Sequence, residues 1–190
     1  MKKSVIGVTI AAIIYLSLYL LSSSCGLIHP ACYAYVGTVV PLLFAFIYLY
    51  VCAKVQTFGA AAFLNGFVLV LGLIVGEGNL PFIIGMIVFA ALAEIIRKFV
   101  GYKSIKGVRL SFLPFAFSFY AYSFHWWTDT AGSLEAAVEE MPVGYADKMK
   151  PVIDNTPMLI FMLILVIPIA FLGMILAERV MKKQVAKFEN

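Results

Sequence analysis

Charge is scarce in this chain: only 13% of its residues are Asp, Glu, Lys or Arg, against 63% hydrophobic, and its mean hydropathy is +1.00. That balance excludes an ordinary soluble domain, which carries about 25% charged residues, and makes a bilayer the solvent. Cysteine is scarcer still, with three in 190 residues, so no disulfide-dense scaffold is available. Histidine occurs twice, at His29 and His125. A Walker loop, an HExxH helix, a Ser-His-Asp set and a supported pair of carboxylates are all missing. A proton-driven pump needs more acids or histidines inside its apolar segments than are present, so transport by this chain would draw its energy from elsewhere.

What is present is long apolar runs, at about 5–21, 35–53, 58–75, 81–99, 108–127 and 157–177. A membrane helix needs roughly 20 such residues, so the pattern predicts an all-α integral membrane protein of six transmembrane helices forming one membrane domain over 1–190. The basic start and apolar run of the first segment also fit a signal peptide; the run is longer than a signal core and is read as the first helix. Between the runs stand His29-Pro30, the 54–57 stretch, Gly76-Glu77-Gly78-Asn79, the 101–104 stretch and a long polar outer loop at 128–156.

Charge sign orients this arrangement, because retained loops collect Lys and Arg. With both termini cytoplasmic, the inner side holds Lys2, Lys3, Lys54, Arg97, Lys98, Lys103, Lys106, Arg109, Arg179, Lys182, Lys183 and Lys187. The outer side holds Lys148 and Lys150 against Asp129, Glu135, Glu139, Glu140, Asp147 and Asp154. The net charge of +4 is thus a topology signal and does not point to nucleic acid. Glu94, three and four residues before Arg97 and Lys98, reads as one half of a local helical ion pair.

The chemically unusual residues then fall on the outer face. Cys25-x3-His29-x2-Cys32 fits a disulfide, a ligand set or a plain polar loop; zinc would need a fourth ligand that the cluster does not offer. The fifth run ends FLPFAFSFYAYSFHWW, residues 112–127. Trp126 and Trp127 suit an interfacial belt, while some of the wall around Tyr122 would face the bundle and could stack on a flat ligand. His29 or His125 could serve as an axial donor to haem iron. Glu77 and Asn79 form a turn able to fix a polar ligand edge. Residues 133–141 read as a short helix with Ser133 as N-cap, serving either as a lid or as a solvated connector. Gly7 and Ala11 are a small-xxx-small pair that lets another helix approach.

Three segments carry a family resemblance. LAEIIRKFVGYKS (92–104) and GYADKMKP (144–151) resemble motif segments of the Trep_Strep (MptD-like) family of integral membrane proteins, and KVQTFGAAAFLNGFVLVL (54–71) is similar to that family in character and position. That family is regarded as substrate-capture (S) components of energy-coupling factor (ECF) transporters, the micronutrient importers of the ABC class. The resemblance implies an S-component-like bundle in the bacterial plasma membrane that binds a micronutrient from outside and is itself not an enzyme. Its partners would be a transmembrane coupling subunit and two cytoplasmic ATPase subunits. It also implies a coupling contact on the first helix, here Gly7-x3-Ala11 where the family often has Ala-x3-Ala, and a pocket beneath the 22–35 loop. No resident cofactor is required, and haem is a candidate transported ligand, held by the aromatics with His29 or His125 on iron. A vitamin or its precursor would instead use Glu77, Asn79 and Tyr122. A membrane enzyme acting on a lipid-like substrate and a channel-like structural protein are the readings from other classes.

Overall fold

The computed structural model describes residues 2–188, with the side chains of Lys2, Lys3 and Ser4 outside the described set, so the first two inner cations of the charge argument are not placed by it. Every element among the described residues is helical. The first is α1 (Lys2–Ser23), which runs into a 3-10 turn at Ser24–Leu27. Next come α2 (Pro30–Val39), α3 (Pro41–Lys54), α4 (Ala60–Ile74), α5 (Leu80–Val100) and α6 (Ile105–Ala116). The short α7 (Ser118–Ala121) and α8 (His125–Thr128) precede α9 (Thr130–Glu140), α10 (Tyr145–Asp154), α11 (Thr156–Val180) and α12 (Lys182–Val185).

Three helical stretches, Val5–Leu27, Leu80–Val100 and Thr156–Val180, are long and apolar enough to cross a membrane. A fourth span would be α2 with α3, which are bent by 44° at their junction. The bend has a local cause: Pro41 has no N–H to give to the carbonyl four residues back, that of Gly37. The predicted helix 35–53 is therefore a broken one that starts earlier, at Pro30. Helix α4 has 15 residues, about 22 Å at 1.5 Å per residue, which is short of a straight hydrocarbon crossing.

The predicted helix 108–127 is broken more severely. Pro114 removes one ladder hydrogen bond, the Phe117 N–H turns back to the Pro114 carbonyl (3.1 Å), and the chain continues as α7 and α8. The polar stretch 128–156 is also more ordered than a connector: it forms α9 and α10. Helix α9 begins at Asp129, whose Oδ1 accepts from Gly132 N at 3.2 Å, so Asp129 and not Ser133 is the N-cap. Ser133 lies inside the helix, where its hydroxyl donates to the His125 carbonyl at 3.3 Å.

The core of the bundle is aromatic. Phe44 stacks on Phe119 (4.3 Å between centroids), Tyr48 lies 4.6 Å from Phe115, and Tyr15 meets Phe44 edge-on at 5.0 Å. Most of the aromatic wall read from 112–127 is thus consumed by packing among α1, α3, α6 and α7. Several polar groups in the core are joined through Asn65. Tyr15 donates to Asn65 Oδ1 (3.2 Å), and Asn65 Nδ2 donates to the Met86 carbonyl (3.0 Å) and to Ser118 Oγ (2.8 Å). Outward, α1, α5 and α11 present bare Ile, Leu, Val and Phe side chains, among them Ile10, Ile14, Ile84, Leu92, Phe161 and Phe171. A surface of this kind requires lipid.

One end of the bundle is held by charge. Glu94 Oε1 accepts from Ala61 N (2.7 Å) at the start of α4, and Arg97 donates from Nη2 to the Val55 carbonyl (2.7 Å) just past α3. Each charge thus faces the helix end of opposite dipole sign. The two side chains are 3.5 Å apart and almost wholly out of solvent. The local ion pair read from the sequence is present, and it also staples the α3–α4 turn to α5. At the same end Arg109 makes a bidentate bridge to Glu178 (3.0 and 2.6 Å), and Gln56 donates to the Lys187 carbonyl at 2.8 Å.

Candidate functional site

At the opposite end the helices part around a cavity of about 650 Å³. Its wall comes from five places: the end of α1 and the following 3-10 turn, α2, the turn between α4 and α5, α8, and the folded-over pair α9 and α10. The pair sits on its own small apolar core of Ala34, Trp126, Ala137, Met149 and Ile153.

An aromatic corner forms one side. The Tyr33 ring lies 4.7 Å from Trp126 and 5.8 Å from Tyr122, which is edge-on to His125 at 5.9 Å. The Tyr122 hydroxyl donates to Glu77 Oε2, tying the α4–α5 turn to the α7–α8 segment. Asn79 caps α5, its Oδ1 accepting from Phe82 N at 2.8 Å, and its amide nitrogen lies 3.4 Å from His125 Nδ1. His125 Nδ1 is also 2.6 Å from the Tyr122 carbonyl, which can only accept. In that contact Nδ1 therefore carries the hydrogen and donates to the carbonyl. Glu77, Asp129 and Glu140 line the cavity, and its lining includes no Lys or Arg. Tyr145 lines it as well; burial pushes its phenol up, so it stays a neutral donor.

Of the residues singled out in the sequence, Glu77, Asn79, Tyr122, His125 and Trp126 come together here. Trp127 does not line the cavity; its indole N–H donates to the Ile153 carbonyl at 3.2 Å and the ring is shared between the two cores. His29 does not line it either. That residue is exposed and caps α2, its Nδ1 accepting from Ala31 N at 3.1 Å. The 22–35 stretch reaches the cavity through Ser23, Ser24, Gly26, Leu27 and Tyr33 instead. Cys25 and Cys32 are both free thiols, and no group of three metal-binding side chains exists among the described residues. A haem also fits this chemistry poorly, because its two propionates would meet carboxylates and no cationic partner.

The matching segments have structural places. Residues 92–104 carry the Glu94–Arg97 staple, 54–71 carry the turn it holds, and 144–151 open α10 over the cavity. Over residues 2–187 the chain matches a family described as hypothetical bacterial integral membrane protein (Trep_Strep). The chain belongs to the Trep_Strep family. No curated protein and no solved structure matches it. Family and structure together make this Trep_Strep protein a multi-pass helical membrane protein.

Sequence reasoning missed Tyr33, Asp129 and Glu140 as cavity residues. Tyr33 lies in the 22–35 loop expected to cover the pocket, and its position one residue past Cys32 was the signal for it. The two acids were visible only as outer-side charge. Gly7 has a use within the chain: a Cβ there would lie 2.6 Å from the Tyr50 hydroxyl on α3. Ala11 is buried in the same seam, next to an apolar cleft of about 310 Å³ between α1 and α3.

Proposed function

We propose that this protein is the substrate-capture component of an ECF-type importer in the bacterial plasma membrane, with the cavity among α1, α2, α8, α9 and α10 as its ligand site. One observation carries the reading: a polar and aromatic cavity stands at one end of an otherwise lipid-facing bundle, walled by side chains from five separate parts of the chain. Such convergence is the usual mark of a binding site. In this reading the chain crosses the membrane six times with both termini in the cytoplasm, α4 and the broken α6–α8 segment counting as crossings, and the cavity opens outward. The Lys- and Arg-rich end then meets the cytoplasm, as the positive-inside rule asks. The protein binds and a partner hydrolyses ATP; its partners are a transmembrane coupling subunit and two ATPase subunits. Gly7 and Ala11 lie on α1 beside the cleft against α3, where a helix of the coupling subunit could seat.

The test is reconstitution. Co-expressed with candidate coupling and ATPase subunits from a host encoding this chain, the tagged protein should co-purify as one assembly. A chain recovered alone from every such co-expression would overturn the reading. Because Gly7 touches Tyr50, the α1 contact is best probed with outward-facing Ile10→Trp and Ile14→Trp, which should reduce assembly without lowering thermal stability.

A further inference from the structure

Resting on the reading of the outer cavity as the ligand site, we infer that its ligand is a cation: an amine or other positively charged nitrogen carried on a compact apolar or aromatic body. Four features of the cavity converge on this. First, three carboxylates, Glu77, Asp129 and Glu140, line it, and no Lys or Arg does. Lys150 of α10 is turned to Asp154 at 3.9 Å, and Lys148 is exposed and outside the lining. Two of the acids already serve the protein: Glu77 accepts from Tyr122 and Asp129 caps α9. Glu140 makes no hydrogen bond or ion pair among the described residues, so its charge is left for something else.

Second, Tyr33, Tyr122 and Trp126 form an aromatic corner beside those acids, with centroid separations of 4.7 and 5.8 Å about Tyr33. Electron-rich ring faces next to unneutralised carboxylates are the arrangement that holds ammonium groups. Third, His125 Nδ1 is already spent on the Tyr122 carbonyl, so that ring nitrogen offers a ligand no donor. Fourth, the Tyr19 hydroxyl at the outer end of α1 is 94% buried with its residue yet has no hydrogen-bond partner. It lies within electrostatic range of the Tyr33 and Tyr122 phenols, one residue before cavity-lining Leu20. Tyr19 itself belongs to the core and not to the lining, and its unsatisfied hydroxyl costs free energy that a ligand reaching past Leu20 would recover.

An anionic ligand would have to enter this field with no counter-charge, and a neutral one would gain nothing from it. The volume of about 650 Å³ admits a ligand of one or two fused rings with a short amine arm.

Three probes of one shape isolate the charge: tryptamine (cation), 3-ethylindole (neutral) and indole-3-propionate (anion), titrated by calorimetry into the full chain in nanodiscs at low salt, with hemin as a fourth titrant. Tryptamine should bind at least about tenfold more tightly than either indole analogue and weaken as salt is raised. Glu77→Gln and Glu140→Gln, both at exposed positions, should each weaken it about three- to tenfold while leaving 3-ethylindole unchanged. Tighter binding of indole-3-propionate or hemin, equal binding of the three indoles, or no tryptamine binding would overturn the inference. Thermal unfolding of the two variants, unchanged from the parent, excludes misfolding as the cause. Assembly with the coupling subunit is scored separately, so that loss of assembly with cation binding intact breaks the transport reading alone.

Discussion

The two ends of the bundle treat a carboxylate in opposite ways. Glu94, at the charge-stapled end, is 2% exposed and has Arg97 beside it and a backbone N–H from Ala61. Glu140, at the cavity end, is exposed and has no partner among the described residues. Burial explains the difference: taking a charge out of water costs several kcal/mol unless partners replace the water, so the deep acid had to be paired, whereas the rim acid could be left open. A charge left open at a cavity is one that a ligand can use. The Glu94–Arg97 pair is therefore architecture and the Glu77, Asp129 and Glu140 group is available for binding.

This contrast predicts a graded series of stability effects, measured as unfolding free energy in detergent. Arg97→Met leaves the Glu94 carboxylate buried and unpaired and should cost about 3–5 kcal/mol; adding Glu94→Gln to it should recover much of that loss. A double variant as damaged as the single would show that the pair is not what matters. Asn65→Leu removes the partner of Tyr15 and Ser118 and should cost about 2–3 kcal/mol, because buried hydroxyls lose their hydrogen bonds. Asp129→Ala should cost about 1 kcal/mol through its N-cap of α9. Glu140→Gln should lie within about 0.5 kcal/mol of the parent, as surface changes away from special features do. If Glu140→Gln instead cost as much as Asn65→Leu, the comparison between the two ends would fail.

The sequence was readable where one rule dominated. Apolar runs found every long helix, and the ends of α5 and α11 fall within three residues of those expected. The helical pair of Glu94 and Arg97 followed from spacing alone. Reading failed where two rules competed. Pro41 and Pro114 each sit inside an apolar run, and the run was read through them as a continuous helix; the structure breaks at or just after both. Ser133 was read as the cap of the outer-loop helix, and only the chain path of α8 into α9 selects Asp129 instead.

The candidate site was legible in kind and not in membership. Glu77, Asn79, Tyr122, His125 and Trp126 could be singled out because polar and aromatic residues next to apolar runs are few. His29 looked equivalent to His125, yet it is spent on capping α2, a local hydrogen bond that no spacing argument weighs.

By itself the sequence determined that this protein is helical and lives in a bilayer, because hydropathy acts locally along the chain. Only the tertiary structure decided which aromatics of 112–127 are core and which reach the cavity, and that Tyr33, Glu77 and Glu140, far apart in sequence, share one space. Those outcomes depend on where bent helices cross and on how α9 and α10 fold back over α2, and packing of that kind is set by the whole bundle rather than by any one segment.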